Sequence, residues 1–202
     1  MKYCDVLIFM GSHRSDGNTA YYVNEIGKKL NEKAISYRIL DINRLDVNHC
    51  IDCVYCKNNW GLCIHNDDMT DIYEQLKCAR VAIFASPVYF NGLTSKLKTL
   101  VDRCQMIFLC DFSHKIPFVD DQNKHAKLGY AISVGGANYY EDQFRGNEGS
   151  LKLVFDNLRM TFKRHLTYSG TDHTGIRENS AVLKDIQVLV DEIESEVTNH
   201  DR

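Results

Sequence analysis

Asp5-Val6-Leu7-Ile8-Phe9-Met10-Gly11-Ser12-His13-Arg14-Ser15-Asp16-Gly17-Asn18-Thr19 is the stretch that decides the fold. Its first part, residues 5–10, is an apolar run of strand length. Glycine, hydroxyl, arginine and amide groups follow, and a helix pattern opens at Thr19. A buried strand feeding such a loop at a helix N-terminus makes a phosphate cradle. The first-turn N–H groups lack partners within the helix, and the helix dipole favours an anion there. The loop lacks the Gly-Lys-Ser/Thr ending of an ATPase P-loop. Gly11 and Gly17 also do not form a Gly-x-Gly-x-x-Gly fingerprint. A nucleotide or flavin-nucleotide site is the reading that remains, with an ordinary polar turn as the alternative.

Outward from that stretch, strand and helix alternate. Helices are expected at about 19–33 (Val23, Ile26, Gly27 and Leu30 inward), from Asp67, and at about 94–106, 149–163 and 179–197. Further strands are expected at about 35–40, 81–85, 128–134 and 165–169. Asp67 and Asp68 suit the N-cap of the second helix. The continuous apolar run Val81–Ala85 suits a strand covered on both faces. This alternation predicts a doubly wound, five-stranded parallel sheet of order 2-1-3-4-5 with helices on both faces. Ligand then binds where the winding reverses, beside strands one and three. The 202 residues predict one domain, 1–202, carrying a cysteine-rich loop at about 45–66 and an irregular excursion at about 111–127.

The charge balance is 24 basic against 27 acidic residues, net −3, with no basic stripe, which argues against nucleic acid as a partner. No apolar stretch approaches the roughly 18 residues that span a bilayer. The opening Met1–Asp5 carries no signal pattern, so a cytoplasmic location is expected, with the eight cysteines as thiols or ligands.

Gly11-Ser12-x-Arg14 with Gly17-Asn18-Thr19, Ser86-Pro87-Val88-Tyr89-Phe90, and Lys98-x-x-x-Asp102-Arg103 resemble the flavodoxin-like NAD(P)H-dependent FMN reductases over about residues 3–140. The resemblance implies that the first loop holds the FMN phosphate through Ser12, Arg14, Gly17, Asn18 and Thr19. It implies that Pro87, Val88, Tyr89, Phe90 and Asn91 border the isoalloxazine ring, with Gly135, Gly136 and Ala137 at its other edge. Loop-anchoring aromatic packing and a tight glycine turn are the plainer accounts of Tyr89-Phe90 and Gly135-Gly136. His13 departs from the usual pattern and is expected to face solvent or the phosphate. Homodimers or homotetramers with sites at their interfaces are also implied.

Cys50, Cys53 and Cys56 follow a C-x-x-C-x-x-C spacing, and Cys63 stands seven positions beyond Cys56. Such spacing lets one loop wrap a cubane. It resembles the iron–sulfur flavoproteins, a branch of the same family, and implies a [4Fe-4S] cluster. Zinc, with His49 or His65 as substitute ligands, and free thiols are the alternatives. Cys4, Cys78, Cys104 and Cys110 are expected to be buried small hydrophobes. Trp60 and Tyr55 either cover a flavin in a neighbouring subunit or pin the loop to its own chain. Glu192, Glu194 and Glu196 are expected to form a solvated face.

The implied function is an FMN-dependent oxidoreductase. It takes hydride from NAD(P)H and passes electrons to a quinone, flavin, nitro or azo compound, or protein. An iron–sulfur flavoprotein or flavodoxin-like carrier exchanging electrons with protein partners is the alternative. A cofactor-free module is disfavoured, because an empty site has no need of so many donors at residues 12–19. No acid–base triad is expected, since in flavin chemistry the cofactor carries the redox step.

Overall fold

The computed structural model describes residues 4–119 and 127–198. Its strands are β1 (Val6–Met10), β2 (Tyr37–Asp41), β3 (Val81–Pro87), β4 (Lys127–Val134) and β5 (Met160–Tyr168). The helices are α1 (Asn18–Glu32), α2 (Tyr55–Asn58), α3 (Met69–Cys78), α4 (Ser95–Arg103), α5 (Gln105–Phe112), α6 (Arg145–Asn157) and α7 (Ser180–Thr198). The sheet is parallel throughout and ordered β2-β1-β3-β4-β5, as the alternation of elements predicted.

Period-two alternation splits the core into two layers. Leu7 and Phe9 of β1 face α3 to α6, where Phe9 stacks on Phe84 at 4.4 Å between ring centroids. Val6, Ile8 and Met10 face α1 and α7. Both faces of β1 are therefore sealed, and only its C-terminal end is open to a ligand.

Several boundaries differ from the sequence reading. The helix expected at 94–106 divides at Cys104, and α5 continues to Phe112. The supposed excursion thus begins inside a helix, and its residues 120–126 lie outside the described residues. α6 starts at Arg145 rather than 149 and takes in Gly146, which packs on the Asn91 carbonyl. A Cβ there would strike the Asn91 carbonyl. α6 ends before Arg159, whose positive φ of 57° turns the chain into β5. β5 is longer than expected and carries a bulge, since Gly129 pairs with Phe162 and Tyr130 with Arg164, leaving Lys163 over. On α7, Glu192 accepts from Arg164 at 2.9 Å and Glu194 from Lys33 at 2.6 Å. These acids tie α7 to β5 and α1 and do not form a merely solvated face.

Candidate functional site

The loop after β1 folds on its own side chains. Ser12 Oγ accepts the Arg14 N–H at 3.1 Å and donates to the Arg14 carbonyl at 3.2 Å. Gly11 donates to the Ala85 carbonyl at 2.7 Å, and a Cβ on Gly11 would lie 2.6 Å from that oxygen. Only glycine lets the loop leave the sheet there. Gly17 caps α1 in an extended conformation with no side-chain cap, so the first-turn N–H groups face outward. The Arg14 side chain is 78% exposed, with Asp16 3.9 Å away, and is free to make a charge-assisted contact.

Sequence reasoning missed Asn43, which fastens this loop. Its carboxamide donates to the Ser12 carbonyl and to Asp41 Oδ1, at 2.6 and 2.9 Å. Asn43 Oδ1 meets His13 Nδ1 at 2.6 Å, so His13 braces the loop from its exposed side. The available signal was Asp41-x-Asn43 directly after β2, an Asx turn in which Asp41 Oδ1 accepts the Asn43 N–H.

A second wall comes from β3. Tyr89 and Gly92 exchange backbone hydrogen bonds of 3.0 and 2.9 Å around Phe90 and Asn91, whose φ values are 49° and 57°. Two left-handed residues in a row make a mirror-type hairpin turn, usually built from glycine or asparagine. Phe90 is strained there and its ring is fully exposed. Asn91 is held by the Tyr140 hydroxyl.

The third wall joins the loops after β4 and β5. Gly135 donates to the Tyr168 carbonyl at 2.7 Å, and Thr171 donates back to Gly135 through N–H and Oγ1 at 3.2 and 3.1 Å. The Asp172 N–H reaches the Gly136 carbonyl at 3.1 Å. A Cβ on Gly136 would collide with the Asp172 carboxylate, so close approach explains this glycine.

These walls enclose a cavity of about 340 Å³, within the range of ligand sites. Ser12, Arg14, Gly17, Asn18 and Thr19 line one side, Pro87, Val88 and Tyr89 a second, and Gly136 and Ala137 a third. Phe90, Asn91 and Gly135 do not line it: Phe90 projects to solvent, while Asn91 and Gly135 brace its walls from behind. Thr171 and Asp172, which line the cavity, were not singled out in the sequence. Their loop carries no motif, and only the β4–β5 pairing brings it to the site.

Beside this cavity His165 Nε2 meets Ser133 Oγ at 2.8 Å, and its Nδ1 lies 3.8 Å from Glu148. Burial lowers the His165 pKa, with Glu148 acting in the opposite direction. Ser133 is wholly buried and also accepts from Asn147 at 2.8 Å. No substrate carbonyl can reach it, so these groups brace the sheet edge and do not form a nucleophilic relay.

Cys50, Cys53, Cys56 and Cys63 line one small cavity with Ile51, Val54, Ile64 and Leu109. Asp52 and Val54, on either side of Cys53, have φ of 49° and 53°. A β-branched residue in that conformation is strained, and strain of this kind collects at ligand clamps. Burial raises the Cys56 pKa, and the neighbouring charges of Cys63, Cys50 and Cys53 raise it further. His65 Nε2 and Arg103 Nε are buried at this end of the molecule without hydrogen-bond partners. Among the described residues no three of His, Cys, Asp or Glu converge enough for a single metal ion. Four thiols around one cavity, with the unpartnered His65 ring nitrogen in the same lining, are the donor chemistry a thiolate-ligated group needs.

Trp60 is pinned to its own chain, donating to the Ile116 carbonyl at 2.9 Å, with Lys77 over its ring. Cys104 and Cys110 are buried, and burial pushes the Cys104 thiol up to about 12. Cys78 is exposed at the end of α3, contrary to expectation. Asp68 does not cap α3 with its side chain but accepts from Asp46 N–H at 2.8 Å.

A family model described as NADPH-dependent FMN reductase matches residues 4–173. An iron-sulfur flavoprotein of Methanocaldococcus jannaschii is 37% identical over 146 residues, 72% of this chain and 66% of that protein. An iron-sulfur flavoprotein of Archaeoglobus fulgidus is 28% identical, covering 67% and 62%. The chain thus spans just under two thirds of each of these curated relatives. Among solved structures, RosB with bound 8-demethyl-8-formylriboflavin-5′-phosphate superposes with a TM-score of 0.70 at 12% identity. That match covers 98% of this chain and 81% of RosB and bears on the fold alone.

Proposed function

This chain belongs to the NADPH-dependent FMN reductase family, and we propose that it is an FMN-dependent oxidoreductase. It takes hydride from NAD(P)H and delivers electrons to a quinone, a flavin, a nitro or azo compound, or a protein. The observation that carries this reading is the cavity where the uncapped start of α1 meets the ends of β3 and β4. Arg14, Ser12 and Thr19 would neutralise and orient the phosphate. Pro87, Val88, Tyr89, Gly136 and Ala137 would border the flat ring, with Asn91 and Gly135 fixing those walls from behind. FMN, when bound, supplies the hydride acceptor. The protein's part is to bind, align and shield.

The iron–sulfur branch is favoured by the thiol cavity, with Cys50, Cys53, Cys56 and Cys63 as ligands of a [4Fe-4S] cluster. Such a cluster would divide electron pairs into single electrons for a protein acceptor. We read residues 1–202 as one cytoplasmic domain without nucleic-acid or membrane partners; no described helix is long and apolar enough to cross a membrane. Exposed Phe108, Phe112 and Leu153 along α5 and α6 support a homodimer or homotetramer.

Anaerobic purification followed by spectroscopy tests this reading. A yellow-brown protein with FMN, iron and acid-labile sulfide, bleached by NADH or NADPH, is expected. Colourless protein that takes up no FMN would refute it.

A further inference from the structure

We infer that Arg103 is a positioning residue for the cysteine loop, clamping its two ends together and favouring electron uptake by the group the loop holds. This rests on the cluster reading above. Arg103 ends α4, and its side chain is 1% exposed. Nη1 donates to Asp67 Oδ2 at 2.6 Å and to the Asn48 carbonyl at 2.8 Å, while Nη2 donates to Asp67 Oδ1 at 3.1 Å. Asp67 Oδ2 also accepts the Asn48 N–H at 2.9 Å. Residues 48 and 67 are therefore held on one guanidinium fork, and all four cysteines lie on the chain between them. Tyr73 donates to the Arg103 carbonyl at 2.7 Å and fixes the fork's own backbone.

Two observations extend this beyond a structural ion pair. Arg103 Nε is buried with no partner, leaving one N–H unspent at this end of the molecule. The guanidinium also sits on the Asn48 carbonyl, two residues before Cys50, so its charge stands at the foot of the cysteine loop. Burial opposes that charge, and the hydrogen bonds to Asp67 support it. A buried cation beside a thiolate-ligated group favours its more negative, reduced state, since low dielectric strengthens the attraction. Lysine keeps the charge but cannot form the fork.

The test compares Arg103→Gln and Arg103→Lys with the parent, all assembled anaerobically. Iron, sulfide and FMN are counted, and cluster reduction is followed by electron paramagnetic resonance against solution potential. In Arg103→Gln the reduced-to-oxidised ratio at a given potential should fall at least tenfold, 59 mV for a one-electron couple. Arg103→Lys should stay within threefold of the parent ratio but carry less iron. Loss of iron from Arg103→Gln with FMN retained, partly restored by lysine, also supports the inference. If Arg103→Gln does not fold, the iron content of Arg103→Lys decides: less iron than the parent with FMN retained supports the inference, and parent-like iron overturns it. Parent-like iron and ratio in both variants overturn the role of Arg103 alone. A parent protein that assembles neither iron nor sulfide overturns the cluster reading itself.

Discussion

The side-chain amide of Asn18 reaches from the head of α1 to the loop after β5, donating to the Thr171 carbonyl at 3.5 Å. Its Oδ1 accepts the Ile176 N–H at 3.4 Å. One residue thus pins two walls of the cavity. Asn18→Asp should separate folding from binding. A carboxylate in the first turn of α1 suits the dipole but gives up the long bond to the Thr171 carbonyl, so the two effects offset and the melting temperature of the apoprotein should change by only a few degrees. The same charge repels a phosphate, so FMN affinity should fall at least tenfold in a fluorescence titration. Parent-like FMN affinity would remove Asn18 from the phosphate site.

Arg14→Ala should weaken FMN binding by about 1.5–3 kcal/mol, the range for a hydrogen bond to a charged group. Unfolding in urea should hardly change, because the side chain is mostly exposed and its Asp16 neighbour is distant. A loss of stability matching the loss of affinity would assign Arg14 to the fold.

Phe90→Gly should relieve the left-handed strain, worth about 1–2 kcal/mol, and raise the apoprotein melting temperature by several degrees. Turnover with NAD(P)H should fall, since strained residues persist where function requires them. A variant that gains stability and keeps full turnover would make the exposed ring dispensable.

Burial pushes the Asp67 carboxyl up, but hydrogen bonds from Arg103 and Asn48 outweigh it and hold it at about 2. A folded-state pKa below the unfolded value gives stability that is present above the unfolded pKa. That stability is lost as pH falls from about 4 toward 2. Asp67→Asn should cost about 3–5 kcal/mol at pH 7, because it leaves the buried Arg103 uncompensated. Urea unfolding from pH 7 to pH 2 should show a shallower acid decline in this variant than in the parent.

Legibility in the sequence followed how local each cause is. Val6–Met10 and Val81–Ala85 are apolar throughout because both sheet faces are covered, and the strand–helix alternation around them pointed to the doubly wound order. The loop after β1 was legible because Ser12, Arg14 and Gly17 bond among themselves within six residues. Asn43, Thr171 and Asp172 reach the cavity through strand pairing and left only an Asx turn or no local trace. The start of α6 was set too late, and the packing of Gly146 left no local trace because its partner, the Asn91 carbonyl, lies 55 residues away in the chain. Lys98-x-x-x-Asp102-Arg103 was visible, but the role of Arg103 appeared only once Asn48 and Asp67 were seen on its fork.

The most direct measurement titrates the apoprotein with FMN and, separately, with riboflavin, which has the same ring without the phosphate. If the turn between β1 and α1 grips the phosphate, FMN should bind at least a hundredfold more tightly, and the gap should narrow as salt is raised. Equal affinity for the two flavins would contradict that grip.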